Sequence, residues 1–329
     1  MKEYEIRPKK LLDRYIELSV KDAQKYFTDT KRLDIPCVAC GGEETKPEFE
    51  KSGFVYSFCQ DCETLYQSPR PDISLFESFY RDSESSNYWA EHFYPAVAEV
   101  RREKIFRPRV KRLSSHCIEQ GITVAKLIDV GAGYGVFLDE WRAHHPETHA
   151  IAIEPSFSLA NECRKKGFEV EENIVENVTK YKNYADLVTC FEVLEHVYDP
   201  LSFINNLKQL VKPGGYVFIS TLCIDGFDLQ VLWDKSSQIS PPHHINFLSV
   251  NGFEKLFEKA GLENITISTP GQLDVEIVRN ASISDPNLLK TQRFLQNIVN
   301  SDQKSSTFQE FLSENKMSSH IWVMGQKPN

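Results

Sequence analysis

Two pairs of cysteines carry the most specific chemistry in this sequence: Cys37-Val38-Ala39-Cys40 and Cys59-Gln60-Asp61-Cys62, with eighteen residues between them. Four thiolates at that spacing suit a tetrahedral zinc ribbon. Four protein ligands leave no open position, so Zn2+ there is expected to be structural. Iron in a rubredoxin-like site and a pair of redox dithiols are the competing readings. Gly41-Gly42 lets backbone amides turn toward the sulfurs, and a metal would supply much of the stability of so small a module. The other four cysteines, Cys117, Cys163, Cys190 and Cys223, are scattered, which argues against a disulfide framework. Cys190 and Cys223 lie in apolar runs and read as small core residues.

A second constellation begins at Asp129-Val130-Gly131-Ala132-Gly133-Tyr134-Gly135. Its glycines permit a sharp turn and a close backbone approach to a ligand at a helix N-terminus. Some twenty residues on, Ala150-Ile151-Ala152-Ile153 runs into Glu154-Pro155. An acid at the end of a second strand can accept both hydroxyls of a ribose. To this point a nicotinamide dinucleotide and S-adenosylmethionine fit almost equally. Three features favour the latter. Position 136, where a pyrophosphate loop would carry its third glycine, is Val136. The run ending in Phe191-Glu192-Val193-Leu194-Glu195-His196 closes a later strand, and Lys212-Pro213-Gly214-Gly215 reads as a tight turn before another.

The elements that must position these groups follow from periodicity. Residues 9–27 have apolar residues at helical spacing. Residues 35–70, punctuated by glycine and proline, read as short strands and turns. Residues 72–118 are helical and rich in aromatics, Asn87, Tyr88 and Trp89 among them. From Lys126, apolar runs at Lys126–Val130, Thr148–Ile153, Ala185–Phe191 and Tyr216–Thr221 alternate with helices, which predicts a parallel sheet covered on both faces. Asn264–Ser268 and His320–Gly325 read as two further strands. The expected division is an N-terminal helix (1–34), a zinc-binding module (35–70), a helical cap (71–119) and an α/β domain (120–329) with a helical insertion at 281–318.

The motifs LIDVGAGYG, AIAIEP, ADLVTCFEVLEHVYDP and LVKPGGYVFIST, in this order, resemble those of class I S-adenosylmethionine-dependent methyltransferases over about residues 120–325. The resemblance implies a Rossmann-like seven-stranded sheet with its last strand antiparallel. It implies that Asp129, Gly131, Ala132, Gly133 and Gly135 form the cofactor loop and that Glu154 and Pro155 hold the ribose. Asn173 and Ile174 should border the adenine, although that stretch departs from the usual acidic pattern, and Phe191 and Glu192 should flank the methionyl end. A zinc ribbon ahead of such a domain is similar to enzymes acting on sugars and nucleotide-linked deoxysugars, and also to one class of ribosomal RNA methyltransferases.

Methyl transfer to a hydroxyl or carbon also needs a base. His196 is one candidate, with loop support as its alternative role. His243 and His244, in Ser240-Pro241-Pro242-His243-His244-Ile245-Asn246-Phe247, are the others, with a structural turn as theirs; similar enzymes carry a His-x-Asn segment near the active site. Asp274 either faces substrate or caps a turn.

Net charge is −9, from 38 basic and 47 acidic residues, which disfavours nucleic acid as the main partner. A basic stretch from Arg101 to Arg112 reads as a solvated helix face, with a substrate anion as the alternative for Arg101, Arg107 or Arg109. With no membrane-length apolar run and no apolar signal core, a soluble cytoplasmic chain is expected. The expected activity is methylation of a small polar acceptor, a sugar or nucleotide-sugar. The rivals are an RNA methyltransferase, a non-catalytic scaffold and a nicotinamide oxidoreductase.

Overall fold

The computed structural model describes residues 1–329. Five strands precede residue 94: β1 (Arg32–Leu33), β2 (Thr45–Lys51), β3 (Phe54–Cys59), β4 (Leu65–Gln67) and β5 (Arg70–Pro71). Eight follow: β6 (Lys126–Val130), β7 (His149–Ile153), β8 (Glu169–Glu171), β9 (Ala185–Phe191), β10 (Val211–Leu222), β11 (Asn246–Phe247), β12 (Glu263–Ser268) and β13 (His320–Gln326). The chain forms two compact units. One comprises Met1–Phe93, Thr221–Phe253 and Ile267–Trp322; the other comprises Tyr94–Ser220, Glu254–Thr266 and Val323–Asn329.

In the first unit the helix Lys9–Phe27 buries Tyr15, Leu18, Ser19, Asp22, Ala23 and Phe27. That spacing of three and four residues puts them on one stripe. Lys9–Asp13 and Glu17–Lys21 ion pairs lie on its solvated side. β2 and β3 form a hairpin whose turn, Ser52-Gly53, has positive φ at both residues, the geometry that matches the right-handed strand twist. The hairpin extends to a four-stranded sheet, β11-β4-β3-β2. Its fourth strand is Asn246–Phe247, about 180 residues beyond β4 in sequence, directly after the paired histidines.

The helices Asp274–Ser284, Arg293–Val299 and Asp302–Glu314 also belong to this unit. The helical run opens at Asp274, because Val275 and Val278 pack with Phe227, Leu289, Val299 and Leu312 in one apolar cluster.

The second unit is built on the seven-stranded sheet, ordered β12-β13-β10-β9-β6-β7-β8. β6 to β10 pair in parallel, and all seven residues of β9 are buried, as a sheet covered on both faces requires. Gly214, near the start of β10, donates to Lys327, just past the end of β13, so β13 runs antiparallel to β10. The Lys212–Gly215 turn expected ahead of β10 is instead part of the strand. Val211 pairs with Ala185 and Tyr216 with Leu187, and the residues between form an irregularity in the register. No helix of the chain is long and apolar enough to cross a membrane.

Candidate active site

The second unit brings the glycine loop and the acid after β7 together. Gly131, Gly133 and Gly135 all have positive φ, the left-handed region that glycine enters without steric cost. At Gly131 a Cβ would also stand 2.6 Å from the Val193 side chain. The loop's path is fixed by Glu154. One carboxylate oxygen accepts the Gly133 amide at 2.8 Å and the other the Ser156 amide at 2.9 Å. Glu154 is only 5% exposed. Burial raises its carboxyl above the usual range and the two amides oppose that rise. Each oxygen keeps acceptor capacity for a hydroxyl, so the group suits a ribose diol at the carboxyl edge of the sheet.

Asp129 lies at the end of β6 and accepts a hydrogen bond from Thr189 at 2.7 Å. Burial pushes its carboxyl up to about 7, against the pull of that hydroxyl and of Arg109. Ala132 is buried between the glycines, and Val136 begins the following helix, Val136–His144. Phe191 packs on Phe137 at a centroid distance of 4.4 Å. Glu192 follows at a φ of 56° and accepts from Ser220 at 2.9 Å. Pro155 is exposed beside Glu154. Asn173 turns its side chain back into its own loop, accepting from the Ile174 amide and from Asn177. Ile174 is left 46% exposed.

Two residues near this loop were not singled out from the sequence as part of it. Arg109, on the helix Arg107–Glu119, is buried, lies 4.6 Å above the Phe191 ring and pairs with Glu192 at 3.0 Å. A buried guanidinium beside Phe191 and Glu192 is suited to a carboxylate. Its sequence signal was hidden in a run of charges. Phe157 opens the helix after Glu154 and is 67% exposed, an aromatic two residues beyond the acid-proline pair. Two more arginines of the basic stretch are ion-paired: Arg102 with Asp139 and Glu140, and Arg107 with Glu140 and Glu103.

In the first unit the four cysteine sulfurs lie within 4.8 Å of one another, with Cys37–Cys62 and Cys40–Cys59 both at 3.5 Å. A tetrahedral zinc about 2.3 Å from each sulfur gives edges of about 3.8 Å, so the donor set fits that ion. The Gly42 amide donates to Cys40 at 3.3 Å. Hydrogen bonding from Cys37 holds the Cys62 thiol well below its usual range, and burial raises that of Cys59.

The histidine loop lies in the same unit. His243 is buried among Tyr15, Phe79 and Tyr80. His244 is half-buried, and its Nδ1 lies 2.6 Å from the Gln238 carbonyl. A carbonyl only accepts, so Nδ1 carries a proton. His196 ends the short helical turn Leu194–His196 after β9, in the second unit. Asp274 is buried and held by Ser318, Gln309 and the Ser319 amide; the structure gives it a tie between segments of the first unit.

The parallel order β10-β9-β6-β7-β8, the added β13 and β12, and a ribose-type acid facing a glycine loop define the class I S-adenosylmethionine-dependent methyltransferase fold. Residues 97–267 match the family model described as a methyltransferase domain, and the chain belongs to that family. Among curated proteins it is similar to the ubiquinone biosynthesis O-methyltransferases of Salmonella arizonae and Salmonella newport. Each is 37% identical over 111 residues, which are 32% of this chain and 46% of the relative. The match thus spans about half the length of those relatives. Among solved structures, the plantazolicin methyltransferase BpumL, in complex with a monoazolic desmethylPZN analog and S-adenosylhomocysteine, shares 13% identity. That alignment has a TM-score of 0.51 over 78% of this chain and 94% of that chain, a likeness of fold.

Proposed function

We propose that the protein transfers a methyl group from S-adenosylmethionine to a hydroxyl or carbon of a small polar acceptor, a sugar or nucleotide-sugar. The observation that carries the reading is the Gly133–Glu154 bond, which holds the loop open-backed and presents a buried carboxylate for the ribose. The bound sulfonium supplies an electrophilic methyl and a neutral leaving sulfur. The residues of this chain hold the nucleoside (Glu154), the methionyl end (Arg109, Phe191, Glu192) and the glycine loop's backbone against the ligand. In-line alignment is the main source of rate. Proton removal from the acceptor is assigned to His244: its Nδ1–H is committed to the Gln238 carbonyl, so Nε2 is the nitrogen that would take the proton. His196 is the second candidate.

The sugar reading is supported by the acidic balance of the chain and by the ion pairing of Arg102 and Arg107 within the 101–112 stretch, neither of which suits a polyanion. Because the curated relatives are O-methyltransferases of ubiquinone biosynthesis, phenols form the second acceptor panel. The cysteine quartet is proposed to hold structural zinc. Cytoplasmic residence remains part of the same proposal.

Calorimetric titration with S-adenosylhomocysteine, with NADH as control, tests the cofactor. Wild type should bind the former in the micromolar range and ignore the latter. Glu154→Ala should weaken binding at least about tenfold, the worth of one charge-assisted hydrogen bond. Folded protein that does not bind S-adenosylhomocysteine would overturn the enzyme reading. With nucleotide-sugars and phenols screened in parallel, His244→Ala should abolish turnover while leaving S-adenosylhomocysteine affinity intact; loss only in His196→Ala would move the base there. Metal analysis should give about one zinc per chain, and iron would refute the zinc assignment.

A further inference from the structure

The partner of the proposed base, His243, is locked by a buried chain of hydrogen bonds that the methyl-transfer chemistry does not itself require. Its Nε2 lies 2.9 Å from Ser85 Oγ. Ser85 Oγ lies 2.5 Å from Asp22 Oδ2. The same carboxylate accepts the backbone amides of Ser85 at 2.8 Å and Glu84 at 3.4 Å. It thereby closes the N-terminal end of the short helix Glu84–Tyr88. Asp22, Ser85 and His243 are 2%, 0% and 4% exposed, so water does not compete for these bonds. All three belong to the first unit.

The proton count along this chain has one solution. A carboxylate has no proton to give, so the single Ser85 hydroxyl proton points to Asp22. Ser85 Oγ is then an acceptor toward His243, and His243 Nε2 must carry a proton. That nitrogen is therefore unable to take one from an acceptor. His244 has the opposite arrangement, with the proton on Nδ1. We infer that Asp22 and Ser85 are positioning residues: they fix His243 as an Nε2–H donor and so pin the Ser240–Asn246 loop that sets the direction of the His244 ring. The kinetic part of this inference rests on His244 being the base; the tautomer part does not.

The loop is tied on its other side as well. Tyr80 donates to the His243 carbonyl at 3.1 Å, and Tyr56 donates to the His244 carbonyl at 2.6 Å. The backbone is thus held at both histidines, and the Asp22–Ser85 pair adds a hydrogen bond to the His243 ring itself. A misplacement of about 1 Å at a reacting group costs on the order of a hundredfold in rate, which sets the scale of the effect.

The test is nitrogen NMR on 15N-histidine-labelled full-length protein, with assignments from His243→Gln and His244→Gln, joined to steady-state kinetics. Wild-type His243 should show a protonated Nε2, and His244 a protonated Nδ1 with a bare Nε2. In Asp22→Ala the Ser85 hydroxyl is released to donate, and the His243 population should move to the Nδ1–H form. The kcat should fall about tenfold or more, with the acceptor KM within about twofold. Asp22→Asn keeps an oxygen for both Ser85 donors and should restore the wild-type tautomer and most of kcat. A bare Nε2 on wild-type His243 would overturn the relay, even if Asp22→Ala fails to fold. A tautomer shift without a rate effect in an active enzyme would overturn the positioning role. If no acceptor is ever methylated, the methyl-transfer reading fails while the NMR still decides the relay.

Discussion

Gly131 and Asp228 show how single positions are decided by their surroundings. Gly131 has a φ of 72°, and an added Cβ would meet Val193 at 2.6 Å. Gly131→Ala should therefore cost about 1–3 kcal/mol of stability in urea unfolding, and S-adenosylhomocysteine affinity should fall as the loop shifts. Equal stability and affinity would refute the close approach. Asp228 is fully buried, with Asp274 nearby, and Gln238 donates to it. Burial first, and the Asp274 charge second, raise its carboxyl well above 3.8. Above pH 3.8 the unfolded chain releases this proton while the folded chain keeps it. The folded state then binds more protons, and this group's contribution falls as pH rises. Asp228→Asn cannot ionise, so its stability relative to wild type should grow from pH 4 to pH 8. A pH-independent difference between the two would show that Asp228 is ionised in the folded protein.

At the scale of elements, the four-stranded sheet carries an unusual residue. Gln67, on β4, is fully buried, and neither its amide nitrogen nor its amide oxygen has a hydrogen-bond partner. It faces Tyr56 across the strand pair, in a layer with Phe49, Phe58 and Trp233. An unpaired buried amide costs about 1–3 kcal/mol. Gln67→Leu should accordingly raise the unfolding free energy by about 1 kcal/mol or more, measured by denaturant midpoint at constant slope. A destabilised variant would mean that the amide is satisfied in solution. β11 was hidden from sequence reading for a related reason. Two residues, Asn246–Phe247, show no periodicity of their own. They become a strand only because β4 offers an edge and Arg70 donates to Asn246 at 2.9 Å.

For the molecule as a whole, the cysteine quartet matters because so much of the first unit leans on it. β3 ends at Cys59, Thr64 and Leu65 follow Cys62, and Ser249 donates to the Cys62 carbonyl. Chelation, or Cys62→Ser, should lower the melting temperature by on the order of 5 °C or more, with circular dichroism showing loss of strand signal. Unchanged melting in metal-stripped protein would remove zinc from the structural account.

The sequence by itself determined the helix Lys9–Phe27, four of the five parallel strands (β8, only three residues long, was not placed), the glycine loop, Glu154 and the cysteine quartet. Each is a local pattern: a period, a turn chemistry or a ligand spacing that reads the same wherever the chain goes. Tertiary structure alone decided the rest. Arg109 was one arginine among seven basic residues in a run until burial against Phe191 and Glu192 set it apart. The pair His243-His244 reads as two equal candidates in sequence. Asp22 and Ser85, 221 and 158 residues away from His243 in the chain, and the Gln238 carbonyl give the two rings different hydrogen-bond partners, from which opposite protons are inferred. Proton direction depends on which acceptors and donors meet in space, and spacing along the chain carries no record of that.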